Sequence, residues 1–315
     1  MKAKYPISKE FFPFNKFVAP RSRFILFLAR IFLKTPSFVF KTKDIQTTTH
    51  KIDGYNGNKV TLYMFLPKSN PNTDKAIIFI HGGGFIFEGF SSHYKIAMEY
   101  ARRCNCKVIY VKYNLAPKNP FPSPQYDCYY SYRYIFDHAE ELGINTNKIG
   151  ITGDSAGGTL ALTSMLIAKE EGFSHYPLFQ ILIYPWLDNR NNSESNKLYT
   201  DTPMWNSTLS KTTSKYTNKK GKKFPPHIIS PIEYKDLSFL PPAYIEVAQY
   251  DCLRDDGILY AKKLKENNID VILHLLENAM HGYETKYNAP KTREMIEKRI
   301  AYINEIFEKN NKKQS

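Results

Sequence analysis

Short apolar runs alternate with longer amphipathic segments along most of the chain. The runs are rich in Ile, Val, Leu, Phe and Tyr, which is typical of strands buried within a sheet. The predicted strands are 44–52, 60–66, 76–80, 107–111, 148–152, 178–183, 243–247 and 271–275. The predicted helices are 92–103, 124–142, 155–171, 256–267 and 293–308. This alternation predicts an α/β fold with a mostly parallel eight-stranded sheet flanked by helices on both faces.

Two regions depart from the alternation. Residues 189–236 form a long polar insertion after the sixth predicted strand, and such an insertion is typical of a lid or a mobile surface segment. Near the N-terminus, residues 24–33 are strongly apolar, but Arg30 interrupts the run. The run is shorter than the about 20 residues that a spanning helix needs, and no signal-peptide cleavage site follows it. We therefore predict an N-terminal cap segment, 1–43, and a catalytic domain, 44–315. The insertion at about 189–236 is predicted to be a further part of the cap. The alternative for residues 24–33 is a helix that lies at the membrane interface.

A glycine-rich motif lies between a predicted strand and a predicted helix. Its sequence is Gly153-Asp154-Ser155-Ala156-Gly157. A serine at such a sharp strand-to-helix turn projects out of the sheet, and a Cβ at Gly153 or Gly157 would collide with a neighbouring element. Ser155 is the predicted nucleophile. The alternative is a glycine-rich turn in which Asp154 or Ser155 only caps the helix.

A second glycine-rich segment follows the third predicted strand, with the sequence His81-Gly82-Gly83-Gly84-Phe85. Acyl transfer places negative charge on a carbonyl oxygen, and backbone N–H groups are the least mobile donors for that charge. Consecutive glycines turn such groups inward without obstruction by side chains. We predict that Gly83, Gly84 and Ala156 donate to an oxyanion; a flexible glycine hairpin is the alternative.

The predicted base and its carboxylate partner both follow strands. His281 comes after the last predicted strand, and Asp251 comes after the strand 243–247. This gives the chain order Ser, Asp, His that is found in α/β-hydrolases. Asp251 is preferred over Asp255 because it comes first after the strand; Asp255 and Asp256 instead fit the first turn of the next helix, where they complement its dipole.

Together these motifs resemble the hormone-sensitive-lipase-like branch of the α/β-hydrolases. The matching segments are His81-Gly82-Gly83-Gly84-Phe85, Gly153-Asp154-Ser155-Ala156-Gly157-Gly158, Asp251-Cys252-Leu253-Arg254-Asp255-Asp256 and His281-Gly282, with Tyr113-Asn114-Leu115-Ala116-Pro117 and Tyr184-Pro185-Trp186-Leu187-Asp188 between them. The resemblance covers roughly residues 45–307. Two departures, Lys118 in place of an acid and Cys252 in place of a proline, remove no catalytic group.

This resemblance implies a serine carboxylesterase that needs no metal and no cofactor and forms an acyl-enzyme with short- to medium-chain esters. It also implies that the N-terminal segment belongs to the cap, where Phe11, Phe12, Phe14 and Phe17 are expected to line an acyl pocket. A deacetylase of sugars or other small molecules and a membrane-lipid hydrolase are the alternatives. A non-catalytic receptor is disfavoured, because receptors that resemble this branch lack the histidine that His281 provides.

The composition of the chain limits the classes of binding partner that it is expected to have. The net charge is +14, from 44 Lys and Arg against 30 Asp and Glu, and much of the excess lies in the stretch 211–223 and near the N-terminus. No nucleic-acid-binding module accompanies this charge, so nucleic acid is excluded, whereas weak attraction to anionic membranes and a homodimer stay open. The four cysteines are too scattered for a disulfide framework, which favours a reducing, cytoplasmic location.

Overall fold

A computed structural model describes residues 4–17, 42–217 and 224–314. Within them one sheet has eight strands in the order β1-β2-β4-β3-β5-β6-β7-β8. The strands are β1 (Ile45–Asp53), β2 (Lys59–Pro67), β3 (Ala76–Ile80), β4 (Lys107–Lys112), β5 (Ile149–Asp154), β6 (Phe179–Ile183), β7 (Ala243–Tyr250) and β8 (Val271–Met280). β2 runs antiparallel to its neighbours β1 and β4, and all other pairs are parallel. The mostly parallel sheet predicted from the alternation is therefore confirmed.

The centre and the edge of the sheet differ in burial. Every residue of β3, β5 and β6 is buried, whereas edge strand β1 mixes buried and exposed positions. Helices cover both faces of a parallel sheet, so its central strands are continuous apolar runs. This explains why the central strands were the clearest signals in the sequence.

The helices flank the sheet, and the sheet separates the core into two apolar layers. They are α1 (Ser91–Arg103), α2 (Ser123–Asp137), α3 (Ala156–Glu170), α4 (Glu194–Leu198), α5 (Ser207–Thr217), α6 (Arg254–Glu266) and α7 (Pro290–Gln314). α3 follows β5 directly and is buried along most of its length, because it packs against both the sheet and α2. The strand and the helix that flank Ser155 are thus held inside the core.

Several element boundaries differ from the sequence prediction. β7 and β8 extend to Tyr250 and Met280, beyond the predicted ends, and α2 ends at Asp137 rather than at 142. α7 reaches Gln314, past the predicted 308, and the i,i+4 pair Lys309–Glu305 stabilises its added turn. The longer β7 and β8 bring the predicted carboxylate and histidine directly to strand ends.

The N-terminal segment and the insertion lie together at the carboxyl edge of the sheet. The Met204 N–H donates to the Phe17 carbonyl at 2.7 Å, and the Lys4 ammonium pairs with the Asp201 carboxylate at 2.6 Å. The insertion also contains α4 and α5. The predicted apolar helix, 24–33, lies outside the described residues, and none of the helices described is both long and apolar enough to span a bilayer.

Candidate active site

Three strand ends bring the predicted serine, aspartate and histidine together. Ser155 follows β5, Asp251 follows β7 and His281 follows β8. The His281 Nε2 atom lies 2.9 Å from the Ser155 Oγ atom, and the His281 Nδ1 atom lies 2.7 Å from an Asp251 carboxylate oxygen. All three side chains are buried, so this chain of hydrogen bonds is shielded from bulk water.

The backbone at Ser155 is strained. Its φ of 52° and ψ of −119° lie outside the regions that most side chains adopt. The flanking glycines make this turn sterically accessible: a Cβ on Gly153 would lie 2.3 Å from the Gly157 carbonyl oxygen, and a Cβ on Gly157 would lie 2.1 Å from the Ile80 carbonyl oxygen. The sequence prediction that neither position tolerates a Cβ agrees with this packing. Strain of this kind persists only where the surrounding structure holds it.

The predicted oxyanion donors lie beside the serine. Gly83 and Gly84 have φ values of +114° and +59°, which a side chain would strain, and Ala156 begins α3. Among the described residues, none accepts a hydrogen bond from the N–H groups of Gly83, Gly84 or Ala156. These three donors are therefore available, and the N-terminal end of α3 adds a favourable potential for negative charge.

A buried carboxylate next to the serine holds the glycine loop in place. Asp154 accepts the Gly82 N–H at 2.8 Å and the His93 Nε2–H at 3.1 Å. Burial opposes ionisation of Asp154, but His93 and the Gly82 N–H together keep its pKa below the ordinary value. The His93 Nδ1 atom accepts the Phe90 N–H at 2.9 Å, so the ring proton lies on Nε2 and points at Asp154.

Sequence reasoning missed His93, since no motif surrounds it and only the fold brings α1 next to β5. His81, by contrast, begins the glycine-rich segment that the sequence shows. Its ring stacks on Tyr113 with 4.4 Å between centroids, and burial lowers its pKa to about 3, so it stays neutral. His81 therefore packs beneath the loop.

The two acids that follow Asp251 have other partners. Asp255 accepts the Ser195 N–H at 2.7 Å, and Asp256 accepts the N–H groups of Leu187 and Asp188. Both belong to the first turn of α6, as the sequence predicts. Asp256 does more than complement the helix dipole, because it also fixes the backbone that follows β6.

An apolar cavity of about 260 Å³ opens onto the serine. Its walls come from the N-terminal segment, the loop before α1 and the insertion. The apolar lining residues are Phe14, Phe17, Phe87, Phe90, Met204, Trp205 and Leu209, and Tyr184 adds a further aromatic ring. Such a wall excludes water and favours an apolar substrate group.

The four N-terminal phenylalanines have different environments. Phe14 and Phe17 line the cavity, as expected. Phe11 is instead buried in the core beside Tyr283, and Phe12 is 56% exposed. The expectation that all four line an acyl pocket is therefore wrong for Phe11 and Phe12, because the turn that spans Phe11 to Phe14 points these side chains away from the cavity.

The sequence analysis also did not predict which residues of the insertion line the cavity. Trp205 packs so closely on the glycine loop that a Cβ on Gly84 would lie 2.6 Å from its ring. The only signal in the sequence was the apolar run Pro203-Met204-Trp205 within an otherwise polar stretch.

The four cysteines, all buried, lie within the described residues and form no disulfide. Burial raises the pKa of the Cys104 thiol to about 12.

Comparisons with known proteins identify the family of the chain. The α/β-hydrolase fold family matches residues 77–285. The chain is 32% identical over 238 residues to esterase LipI of Mycobacterium tuberculosis, covering 74% of this chain and 73% of that protein. It is 31% identical over 257 residues to carboxylesterase NlhH of the same organism, covering 80% of this chain and 79% of the relative.

Among solved structures, a bacterial heroin esterase superposes on the chain with a TM-score of 0.85 at 28% identity, covering 96% of this chain and 99% of that one. Fold, site geometry and relatives thus lead to one assignment. The chain belongs to the hormone-sensitive-lipase-like α/β-hydrolases and is a carboxylesterase-type member of that family.

Proposed function

We propose that the chain is a serine carboxylesterase for lipophilic esters with short to medium acyl chains, acting through Ser155, His281 and Asp251. The observation that carries this proposal is the continuous hydrogen-bond chain from the Asp251 carboxylate to His281 and on to the Ser155 Oγ atom, at the base of an apolar cavity. A nucleophile, a base and a carboxylate that orients the base are the parts that acyl transfer by serine requires.

In the first half-reaction His281 Nε2 takes the Ser155 hydroxyl proton while the Oγ atom forms a bond to the ester carbonyl carbon. The carbonyl electron pair moves to the oxygen, which accepts hydrogen bonds from the N–H groups of Gly83, Gly84 and Ala156. Each such donor contributes about 3–4 kcal/mol in comparable sites. The tetrahedral intermediate then expels the alcohol, which takes the proton from His281 Nε2, and the acyl group stays on Ser155.

In the second half-reaction water replaces the alcohol. His281 takes a proton from the water, the hydroxide attacks the acyl carbon, and the proton returns to Ser155 as the carboxylic acid leaves. Asp251 accepts the Nδ1–H of His281 throughout, so the Nε2 lone pair faces the serine and the water. With the ester and one water molecule as the reactants, both half-reactions balance.

The cavity wall supports an apolar substrate over a sugar ester. A sugar acetate would require several hydrogen-bonding groups in the wall, but the surface that this wall presents to the cavity is mostly apolar. Its volume of about 260 Å³ fits a small acyl chain better than a long one. The esterase names of LipI and NlhH support the same reaction class.

The decisive experiment is hydrolysis of p-nitrophenyl esters from acetate to palmitate by the wild type and by Ser155→Ala. We expect an optimum at short to medium chains and a loss of at least about 10⁴-fold in kcat for Ser155→Ala, because the nucleophile is removed. Labelling by a fluorophosphonate reports independently whether Ser155 is activated. Hydrolysis by the folded Ser155→Ala protein at the wild-type rate would overturn the proposal.

A further inference from the structure

Behind His281 lies a buried ionic cluster, which we define as Arg299 of α7, Glu246 of β7 and Glu284 of the turn that follows His281. Each is at most 3% exposed. The Arg299 guanidinium donates to both carboxylate oxygens of Glu246, at 2.8 and 3.0 Å, and to Glu284 at 2.5 Å. One cation and two carboxylates are thus enclosed in the core, where breaking any of their hydrogen bonds would leave a buried charge without its partner. The cluster is therefore stiff.

Tyr184 joins this cluster to the site. Its hydroxyl donates to the second Glu284 oxygen at 2.9 Å, and its N–H donates to the Glu246 carbonyl at 2.7 Å. Burial, strengthened by the nearby Glu284 carboxylate, raises the pKa of Tyr184 well above its ordinary value, so the hydroxyl keeps its proton and donates. Two hydrogen bonds thus fix the residue at both its backbone and its tip.

The ring of Tyr184 lies against His281, with 4.7 Å between the ring centroids. Tyr184 has a φ of +35°, which is unfavourable for a residue with a side chain, and the surrounding bonds hold it there. Because Tyr184 is fixed at its backbone and at its hydroxyl and its ring contacts His281, it restricts the orientation of the imidazole. His281 has to keep Nε2 aimed at Ser155, and misplacement by about 1 Å costs as much as 10²-fold in rate.

We propose that Tyr184, anchored by the ionic cluster, is a positioning residue for His281. The hydrogen bond of its side chain goes to Glu284 and not to Ser155, and its effect passes through the orientation of the imidazole. This inference rests on the proposed function, because it assigns His281 the role of base. It also gives α7 a role in catalysis, since Arg299 holds the Glu284 carboxylate that anchors Tyr184.

Tyr100 offers a matched control. Its hydroxyl accepts a hydrogen bond from Arg299 at 3.1 Å, and it is as deeply buried as Tyr184. It contacts the same cluster but does not line the cavity. Tyr184→Phe and Tyr100→Phe therefore each remove one hydroxyl that is hydrogen-bonded to the cluster, and only the first releases a side chain that lies against His281.

The test compares kcat, KM and Tm of the two variants with p-nitrophenyl butyrate. We expect Tyr184→Phe to lower kcat by about 5- to 10-fold with KM within about twofold, because alignment of the base affects the transition state more than ground-state binding. Tyr100→Phe should lower Tm by a similar amount and leave kcat within about twofold. Equal kcat for Tyr184→Phe and Tyr100→Phe would overturn the inference, as would a rise in KM that accounts for the whole loss.

Tyr184→Ala provides the second variant, since it removes the ring as well as the hydroxyl. We expect a larger loss of kcat, about 30- to 100-fold, in the fraction of protein that circular dichroism shows to be folded. A loss no larger than that of Tyr184→Phe would contradict a role for the ring. Failure of the proposed function is distinguishable, because it would appear as an inactive wild type or an active Ser155→Ala protein.

Discussion

The strand-end site and the cavity wall differ in what positions their residues. The site consists of Ser155, Asp251 and His281, each placed by a strand that ends beside it within a buried sheet. The wall consists of the loop before α1, the N-terminal segment, 4–17, and the insertion. The last two lie far apart in the chain and meet through a few contacts, such as the Lys4–Asp201 pair. The proposed function therefore assigns the chemistry to the buried core and substrate selection to contacts between remote segments.

This difference has a consequence for how each region tolerates change. Parallel strands end at one edge of the sheet, so any sequence that forms the sheet delivers side chains there with little freedom. The wall has no comparable constraint, and its residues are positioned by contacts such as that of Trp205 with the glycine loop. Substitutions in the first region should abolish turnover, and substitutions in the second should redirect it.

The largest effect is expected at Asp251. Asp251→Asn should lower kcat by about 10⁴-fold, because an amide favours the wrong tautomer of His281. Asp255→Asn is the matched control: its carboxylate contacts Ser195 and lies away from His281, so kcat should change by no more than about threefold. Steady-state kinetics of both variants decide the assignment. A large loss for Asp255→Asn with an active Asp251→Asn would reverse the choice of carboxylate.

A change in substrate range is expected at Trp205. Trp205→Ala should enlarge the cavity and raise the ratio of kcat/KM for decanoate over butyrate by roughly 10- to 50-fold, since each additional buried methylene contributes about 0.8 kcal/mol. The ester series measures this ratio directly. Leu198→Ala, in the same insertion but 61% exposed and outside the cavity, should leave the ratio unchanged. An unchanged ratio for Trp205→Ala would show that this side chain does not limit the chain length.

The smallest effect is expected where the two wall segments are tied together at the surface. Asp201 accepts hydrogen bonds from the Lys4 ammonium and, at 2.5 Å, from the Tyr5 hydroxyl. Asp201→Ala should raise KM by about 2- to 3-fold and leave kcat unchanged, because exposed ion pairs contribute at most about 1 kcal/mol.

Asp53→Ala, which breaks the exposed pair with Lys59 at the far edge of the sheet, is the control and should change neither constant. Wild-type KM should also rise as salt screens the Lys4–Asp201 pair. A fall in kcat for Asp201→Ala would show that the wall also acts on the chemistry.

The sequence predicted the residues of the strand-end site better than those of the cavity wall, because the site depends on local sterics and on strand burial. Gly153 and Gly157 are required by collisions that any chain meets at such a turn, and Asp251 and His281 follow strands whose apolar runs are plain in the sequence. Phe11 and Phe12 were misplaced because nothing local reveals which way a short turn points its side chains. His93 gave no signal, and the segment that contains Tyr184 gave no indication of that residue's role, since their partners lie 61 and 100 residues away along the chain.

The sequence by itself therefore determined the fold class, the strand-to-helix turn at Ser155 and the chain order of the site residues, because strand burial and glycine sterics act over a few neighbouring residues. Only the tertiary structure decided the composition of the cavity wall, the Asp154–His93 support of the glycine loop and the ionic cluster that anchors Tyr184. Those features join segments that are remote in the chain, and their energies exist only after the sheet has brought the segments together.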